Sequence, residues 1–406
     1  AAPPPPPRRR RPPAVQFAWP AMSAAPARGA GDPGLPPSKR PRGPGGRPLV
    51  LHFDINKTIV VCDPVKGMGC DAMVNAILSE SCWGTWDGGA GVPDGGDDEA
   101  KSRAALAWRF CEGPTAAAQP GMMTYAALLE ERLTMGKKAV IALKSAFTDE
   151  GQPGHRARPA YERLTRALQL PDGVAIPNVP DAVGPGRCFI LPAFFHLLLH
   201  LEEQQREFRI MFRTFGIDTK DVVGEFNLFC RGQHPCFPTV PESLKRFCVD
   251  LSRDAGTWSR DADGTHLTLA GGEVFHGDAA CAAAVRSRLF GSAPCFSHAL
   301  RDYYPWWSRC GESDDSGKLL YVDALTGDSA HAIFFDDNIE RDRAHIVDAR
   351  GPAFESLPFA DTCGVHLVKA EPLLAIEDPL YFVRAVASAE AALAELASAR
   401  RRGAEA

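Results

Sequence analysis

Short apolar runs that close on a polar residue recur along this chain. Between them lie longer stretches whose apolar residues recur at three- and four-residue spacing. One run, Leu49 to Phe53, closes on Asp54. A second, Phe208 to Arg213, closes on Thr214, and a third, Ala332 to Phe335, closes on Asp336 with Asp337 and Asn338 behind it. Such short runs predict buried strands that deliver polar residues at their carboxyl ends. His345 to Asp348 and Val365 to Val368 predict further strands, and Lys318 to Asp323 predicts a strand or a helix end. Thr265 to Leu269 and Glu273 to His276, joined by Ala270-Gly271-Gly272, predict a hairpin.

Helical spacing predicts helices over Ala72 to Ser79, Ala100 to Cys111, Thr124 to Leu133, Lys137 to Phe147 and Tyr161 to Leu170. Others are expected over Ala193 to Gln205, Ala279 to Leu289 and Pro379 to about Ala399. Asp218 is placed to N-cap a helix running to about Phe229. Short strands alternating with helices predict an α/β fold, with a Rossmann-like, three-layer parallel sheet. The expected core is 49–61, 186–231 and 318–375. A mainly helical insertion fills 62–185, a second, mixed α/β insertion fills 232–317, and a C-terminal helix occupies 376–406.

Composition changes the picture at the N-terminus. Of 35 prolines, 15 fall within residues 1–48, with nine basic residues and one acid, Asp32. That stretch holds too little apolar surface to offset chain entropy and is expected to be a disordered, Pro- and Arg-rich tail. Ser38-Lys39-Arg40-Pro41-Arg42 fits a short nuclear-import signal, and the acid-poor start fits an organelle transit peptide. A leader without function fits as well, and residues 1–21, which precede the first methionine, Met22, fit translated upstream sequence. The compartments left open are cytoplasm, nucleus and an organelle.

The net charge of −5 is thus a sum of opposite parts, a tail at +8 and a body at −13. An acidic body argues against a general nucleic-acid surface. No apolar run reaches the roughly 18–20 residues of a membrane helix, so no membrane partner is expected. The 12 cysteines include no CxxC pair, which predicts reduced thiols rather than zinc or a disulfide framework. The 45% hydrophobic and 23% charged composition excludes collagen-like and wholly disordered chains.

The polar strand ends carry the candidate chemistry. In an open α/β sheet, ligands bind beyond the carboxyl ends of the strands. Asp54 is a candidate nucleophile. Asp336 and Asp337 offer oxygens to a hard cation such as Mg2+, which would let an anionic nucleophile approach a phosphate. Thr58 and Thr214 can donate to phosphate oxygens. Lys318 can neutralise charge, although nothing around it distinguishes it from a solvent-facing lysine.

The ordered set resembles the haloacid dehalogenase (HAD) superfamily. D-I-N-K-T at 54–58 is similar to its first motif, Thr214 in F-R-I-M-F-R-T-F-G to its second, Lys318 to its third, and F-F-D-D-N at 334–338 to its fourth. The resemblance covers roughly residues 49–370 and implies a Rossmannoid core with two cap-type insertions. It also implies an aspartyl-phosphate on Asp54 and Mg2+ held by Asp54, the Asn56 backbone carbonyl, Asp336 and Asp337. Thr58, Thr214 and Lys318 would bind phosphate, and the expected partner is a small phosphorylated substrate.

Asn56 departs from the pattern, because phosphatases of that superfamily carry there the Asp that acts as general acid and base. An amide cannot exchange protons in the useful range, and this assistance is typically worth about 10²–10⁴-fold. A slow phosphohydrolase or phosphotransferase, a dehalogenase-like hydrolase, and a binding protein that has lost turnover all remain compatible with Asn56. Asp63 and His52 are candidates for a substitute acid.

His196 and His200, Trp306-Trp307 with Tyr303-Tyr304, and His234 between Cys230 and Cys236 are read as packing residues rather than ligands.

Overall fold

The computed structural model describes residues 47–88, 96–292, 294–322 and 330–405. The expected disordered tail and its basic signal lie outside the described residues, apart from Arg47 and Pro48, as does Asp323. The fold is α/β with a mixed, mostly parallel central sheet.

In chain order the strands are β1 (Leu49–Asp54), β2 (Trp83–Thr85), β3 (Arg109–Glu112), β4 (Met123–Thr124), β5 (Phe208–Thr214), β6 (Ala255–Asp261) and β7 (Gly264–Leu269). They continue with β8 (Val274–His276), β9 (Ser297–Asp302), β10 (Lys318–Tyr321), β11 (His331–Asp336), β12 (Val347–Arg350) and β13 (Leu367–Lys369). The central sheet runs β13-β11-β1-β5-β9-β6-β7-β8. Its strands from β13 to β6 are parallel, and β7 and β8 extend the edge antiparallel.

Residues alternate across the sheet, so β1 faces two layers. Phe53 packs on Phe194 of the helix Pro192–Glu203, on Phe335 of β11, and on Phe382 of the C-terminal helix. Val50, on the opposite face, joins Met211, Phe334, Leu320, Val347 and residues of the helix Asp278–Phe290 in one buried cluster. There β10 and β12 form a separate parallel pair over the sheet. All six residues of β1 and of β11, and all seven of β5, are buried, as a strand covered on both faces must be.

Residues 232–317 differ from the expected second insertion. β6 to β9 belong to the central sheet itself, with β9 paired directly to β5 and β6 to β9. Both strands mix charged and small residues, AGTWSRD and SHALRD, so they carry no continuous apolar run. Their burial comes from neighbours far away in sequence. The hairpin itself forms as expected, β7 with β8.

Among its described residues the segment 62–185 holds four helices of eight or more residues, Cys70–Ser81, Asp98–Ala105, Lys137–Ser145 and Arg158–Ala167. It also holds a small antiparallel sheet, β3-β2-β4. The helix expected to run to Cys111 stops at Ala105, and β3 begins at Arg109. Trp108 lies between, buried against Tyr125 and Phe147 at 5.7 Å each, and this aromatic anchor turns the chain. The helix expected over Thr124 to Leu133 is a short turn, Tyr125–Ala127, followed by a π-helical turn, Leu128–Arg132. The C-terminal helix runs Tyr381–Glu405, after a short separate helix, Pro372–Glu377. No helix among the described residues is long and apolar enough to cross a membrane.

Candidate functional site

Asp54 is the last residue of β1, and the chain turns sharply after it. The Ile55 carbonyl accepts from the amides of Thr58, Ile59 and Val60. Lys57 takes a left-handed conformation, φ 59°, to make this turn. The turn brings the Thr58 hydroxyl back to Asp54, 3.4 Å from Oδ2. The same hydroxyl accepts from the Asp337 amide at 3.2 Å, which links the loops after β1 and β11.

Lys318 opens β10, so the expected choice between strand and helix end resolves as a strand. It is also not a solvent-facing lysine. Its side chain is 1% exposed, and Nζ lies 2.5 Å from Asp54 Oδ1 and 2.7 Å from Asp336 Oδ2. The Phe215 and Phe334 rings lie 5.1 and 5.8 Å from the ammonium. Nothing adjacent in the sequence encodes this burial. It follows from stacking β10 over the sheet's carboxyl end.

Oxygens of Asp54, Asp336 and Asp337 all lie within 4.8 Å of one another. The Asn338 amide N–H and side-chain Nδ2 donate to Asp336 Oδ1 at 2.9 and 3.2 Å, and Nδ2 also donates to Asp337 Oδ1 at 2.9 Å. These bonds orient the two carboxylates. An all-oxygen donor set of this kind fits Mg2+ by hardness and by charge.

Burial, helped by Asp336 and Asp337, pushes the Asp54 carboxyl well above its usual range, against the pull of Lys318. Burial likewise raises Asp337, to about 6, with Lys57 opposing and Asp336 assisting. Burial works against the Lys318 charge, but Asp336 and Asp54 outweigh it and hold the ammonium above its usual value. Three carboxylates meet the two ammoniums of Lys318 and Lys57 here, so the cluster suits further positive charge.

Thr214 closes β5, beside β1, and its Oγ1 accepts from the Gly216 amide at 2.8 Å. The hydroxyl proton is thereby left to donate elsewhere. Asn56 lies in the turn after Asp54, and its Nδ2 donates to Asp218 Oδ2 at 3.0 Å. Asp218 does stand at the N-cap position of the helix Thr219–Cys230, but its side chain makes no capping bond. Its partner is Asn56 instead.

Neither candidate substitute acid is free for that work. Asp63 accepts from its own turn, from the Lys66 amide at 3.1 Å, and pairs with Lys66 Nζ at 2.7 Å. His52 is buried and stacks on Phe334. Its Nδ1 lies 3.2 Å from Arg213 Nη1, and a guanidinium can only donate, so Nδ1 accepts. Burial, with Arg213 beside it, pulls its pKa well below the usual value.

Two participants were not legible as site residues: Asp218 was expected only as a helix cap, and Arg213 only as part of the run that closes on Thr214. Arg213 forms a buried bidentate pair with Asp302, at 3.0 and 2.5 Å, and donates to the Leu319 carbonyl at 2.9 Å. It thus pins β5 and β9 to β10 directly beside Lys318.

Of the residues expected to pack, His196, Trp307 and His234 are buried, whereas His200 and Trp306 are half-buried and Tyr303 and Tyr304 are exposed. His196 is buried 5.4 Å from the Phe237 ring, and Trp307 stacks on Phe215 at 5.4 Å. His234 Nε2 lies 3.1 Å from Glu225 Oε1, while its Nδ1 accepts from the Cys236 amide.

Against known protein families, curated proteins and solved structures, the chain finds no match. The chemistry of the site therefore rests on its own residues.

Proposed function

We propose that this chain is a HAD-like, magnesium-dependent phosphohydrolase or phosphotransferase acting through Asp54. The observation that carries this reading is the junction of Asp54, Lys318 and Asp336 at the carboxyl ends of adjacent parallel strands. Asp54, with Lys318 and Asp336 more than 260 residues further along, would supply a nucleophile, a buried cation and a cation-binding carboxylate to one small space.

In this reading an Asp54 carboxylate oxygen attacks phosphorus. The new O–P bond forms as the bond to the leaving oxygen breaks. Thr58 and Thr214 hydroxyls, with the Lys318 ammonium, bind the phosphoryl oxygens. Bound Mg2+ would be held by Asp54, Asp336 and Asp337, with the Asn56 carbonyl, and would neutralise charge between nucleophile and phosphate. Asn56 cannot protonate the leaving oxygen, so substrates with stable leaving anions, such as aryl phosphates, are favoured.

Asn56 also favours a second reading, a HAD-fold binding protein or dehalogenase-like hydrolase, because neither needs an acid there. Incubation with aryl phosphates and Mg2+ separates them. Phosphate release that is lost in Asp54→Asn supports the first reading. Absence of turnover across a broad phosphate panel would sink it, and halide release from haloacids would point to the dehalogenase variant.

A further inference from the structure

The antiparallel edge of the central sheet brings together two histidines that the Asp54 cluster does not use. β8 is the outermost strand and pairs with β7 so that His276 faces His266. To one side the Gly277 amide donates to the Thr265 carbonyl at 2.7 Å, and further along the Leu269 amide donates to the Glu273 carbonyl at 2.9 Å. Those residues belong to the hydrogen-bonded pairs of the ladder, which leaves His266 and His276 as a non-hydrogen-bonded pair. Side chains stand closest across such a pair. The two rings accordingly meet edge to face with centroids 5.0 Å apart, and Nδ1 of one lies 2.8 Å from Nδ1 of the other.

The turn between β6 and β7 sets the state of one ring. Asp261 closes β6, and its Oδ1 accepts from the Asp263 amide at 2.9 Å and lies 3.0 Å from His266 Nε2. Bonding to His266, with the Asp263 amide, holds this carboxyl below its usual range. A carboxylate only accepts, so His266 Nε2 carries a proton and Nδ1 of the neutral ring presents a lone pair. That lone pair meets His276 Nδ1, and one proton bridges the two nitrogens. Metal-binding histidines are held in the same way, with the outer ring nitrogen on a carboxylate and the inner one on the ion. The His266 side chain is 19% exposed and His276 is exposed, so a solute reaches the pair.

We propose that His266 and His276 form a binding site for a divalent transition-metal ion such as Zn2+ or Cu2+, held by the two Nδ1 atoms, with Asp261 as a positioning residue behind His266. The ion takes the place of the bridging proton, which leaves to water. Metal–nitrogen bonds of about 2.0–2.1 Å at a near-tetrahedral angle set the two nitrogens about 3.3 Å apart, so the rings part by about half an ångström. Among the described residues no third carboxylate, thiol or imidazole donor joins the pair, and water fills the remaining positions. Imidazoles select ions of this class, whereas the carboxylates around Asp54 suit Mg2+, so the two sites take different metals. The donors lie on neighbouring strands, and a bound ion ties the three-residue edge strand β8 to β7. Nothing in this site depends on the phosphoryl-transfer reading.

The test titrates Cu2+ into the full chain, without a histidine tag and in excess Mg2+, and follows it by electron paramagnetic resonance. A single equivalent is expected to bind with the hyperfine pattern of two imidazole nitrogens. His266→Ala and His276→Ala should each abolish that pattern. Asp261→Asn should keep it and weaken binding by about 10–100-fold. In the same excess of Mg2+, Zn2+ should raise the Tm of wild type more than that of His276→Ala. His276 is exposed, so its replacement keeps the question answerable should His266→Ala not fold. Cu2+ bound without the two-nitrogen pattern overturns the proposal, as does a pattern unchanged in His276→Ala or an equal rise in Tm. Binding kept in His276→Ala but lost in Asp337→Asn would place the ion at the carboxylate cluster and overturn it too.

Discussion

Lys318 Nζ bridges Asp54 Oδ1 and Asp336 Oδ2, at 2.5 and 2.7 Å, with all three residues buried. The ammonium is what allows two carboxylates to share that pocket. Lys318→Met keeps the volume and removes the charge. The variant is expected to lose about 3–5 kcal/mol of stability, the cost of breaking a buried pair from one side. Urea unfolding at neutral pH measures it. Mg2+ should restore more stability to Lys318→Met than to wild type, because the carboxylates would otherwise be unopposed. Equal stability without metal would show that the bridge does not form.

Arg213 and Asp302 form a second buried pair, next to Trp258 and Phe334. Arg213→Met is expected to cost about 3–5 kcal/mol, since Asp302 is left buried and unpaired. Arg213→Met combined with Asp302→Leu should cost at least about 1 kcal/mol less than the two single changes together. Denaturant unfolding of the four proteins completes the cycle. Strict additivity would mean that the two side chains act independently.

Glu80 ties the 62–185 segment to the site loop. It pairs with Lys57 at 3.0 Å and Lys144 at 2.6 Å, and Lys57 Nζ is 3.7 Å from Asp337. Although burial opposes it, the two lysines draw the Glu80 carboxyl from 4.5 down to about 2. A depressed carboxyl contributes stability that is full above its unfolded value and lost as pH falls through its folded value. The contribution is therefore present above about pH 4.5 and disappears towards about pH 2. With its partial exposure it is expected to reach about 2 kcal/mol. The difference in unfolding free energy between wild type and Glu80→Gln, followed from pH 6 to pH 2, should shrink across that window. A constant difference would contradict the pairing.

Asn56→Asp supplies the acid that the turn after β1 lacks. Under the phosphoryl-transfer reading, turnover of a poorly activated phosphate ester is expected to rise by about 10²–10⁴-fold. The same change sets a second carboxylate 3.0 Å from Asp218, so thermal stability without metal should fall. Steady-state phosphate release and a melting curve check the two halves together. A gain in stability with no gain in turnover would show that the site lacks more than an acid.

Much of the sheet was legible from local pattern alone. β1, β5 and β11 are runs of apolar residues ended by Asp54, Thr214 and Asp336, and a strand buried on both faces needs such a run. The hairpin of β7 and β8 announced itself through Gly271 and Gly272 between alternating residues. β6 and β9 did not, because Arg260, Asp261, Arg301 and Asp302 make their sequences resemble surface segments.

By itself, the sequence determined which residues end the inner strands, since strand formation and burial follow from neighbours within a few positions. Only the tertiary structure decided what those ends meet. Lys318 is 264 residues from Asp54, and Asn56 is 162 from Asp218. A lysine or an aspartate at such a position has the same local signature whether it faces water or a partner. Its environment is set by how distant layers close over it, and that closure is a property of the whole packed chain.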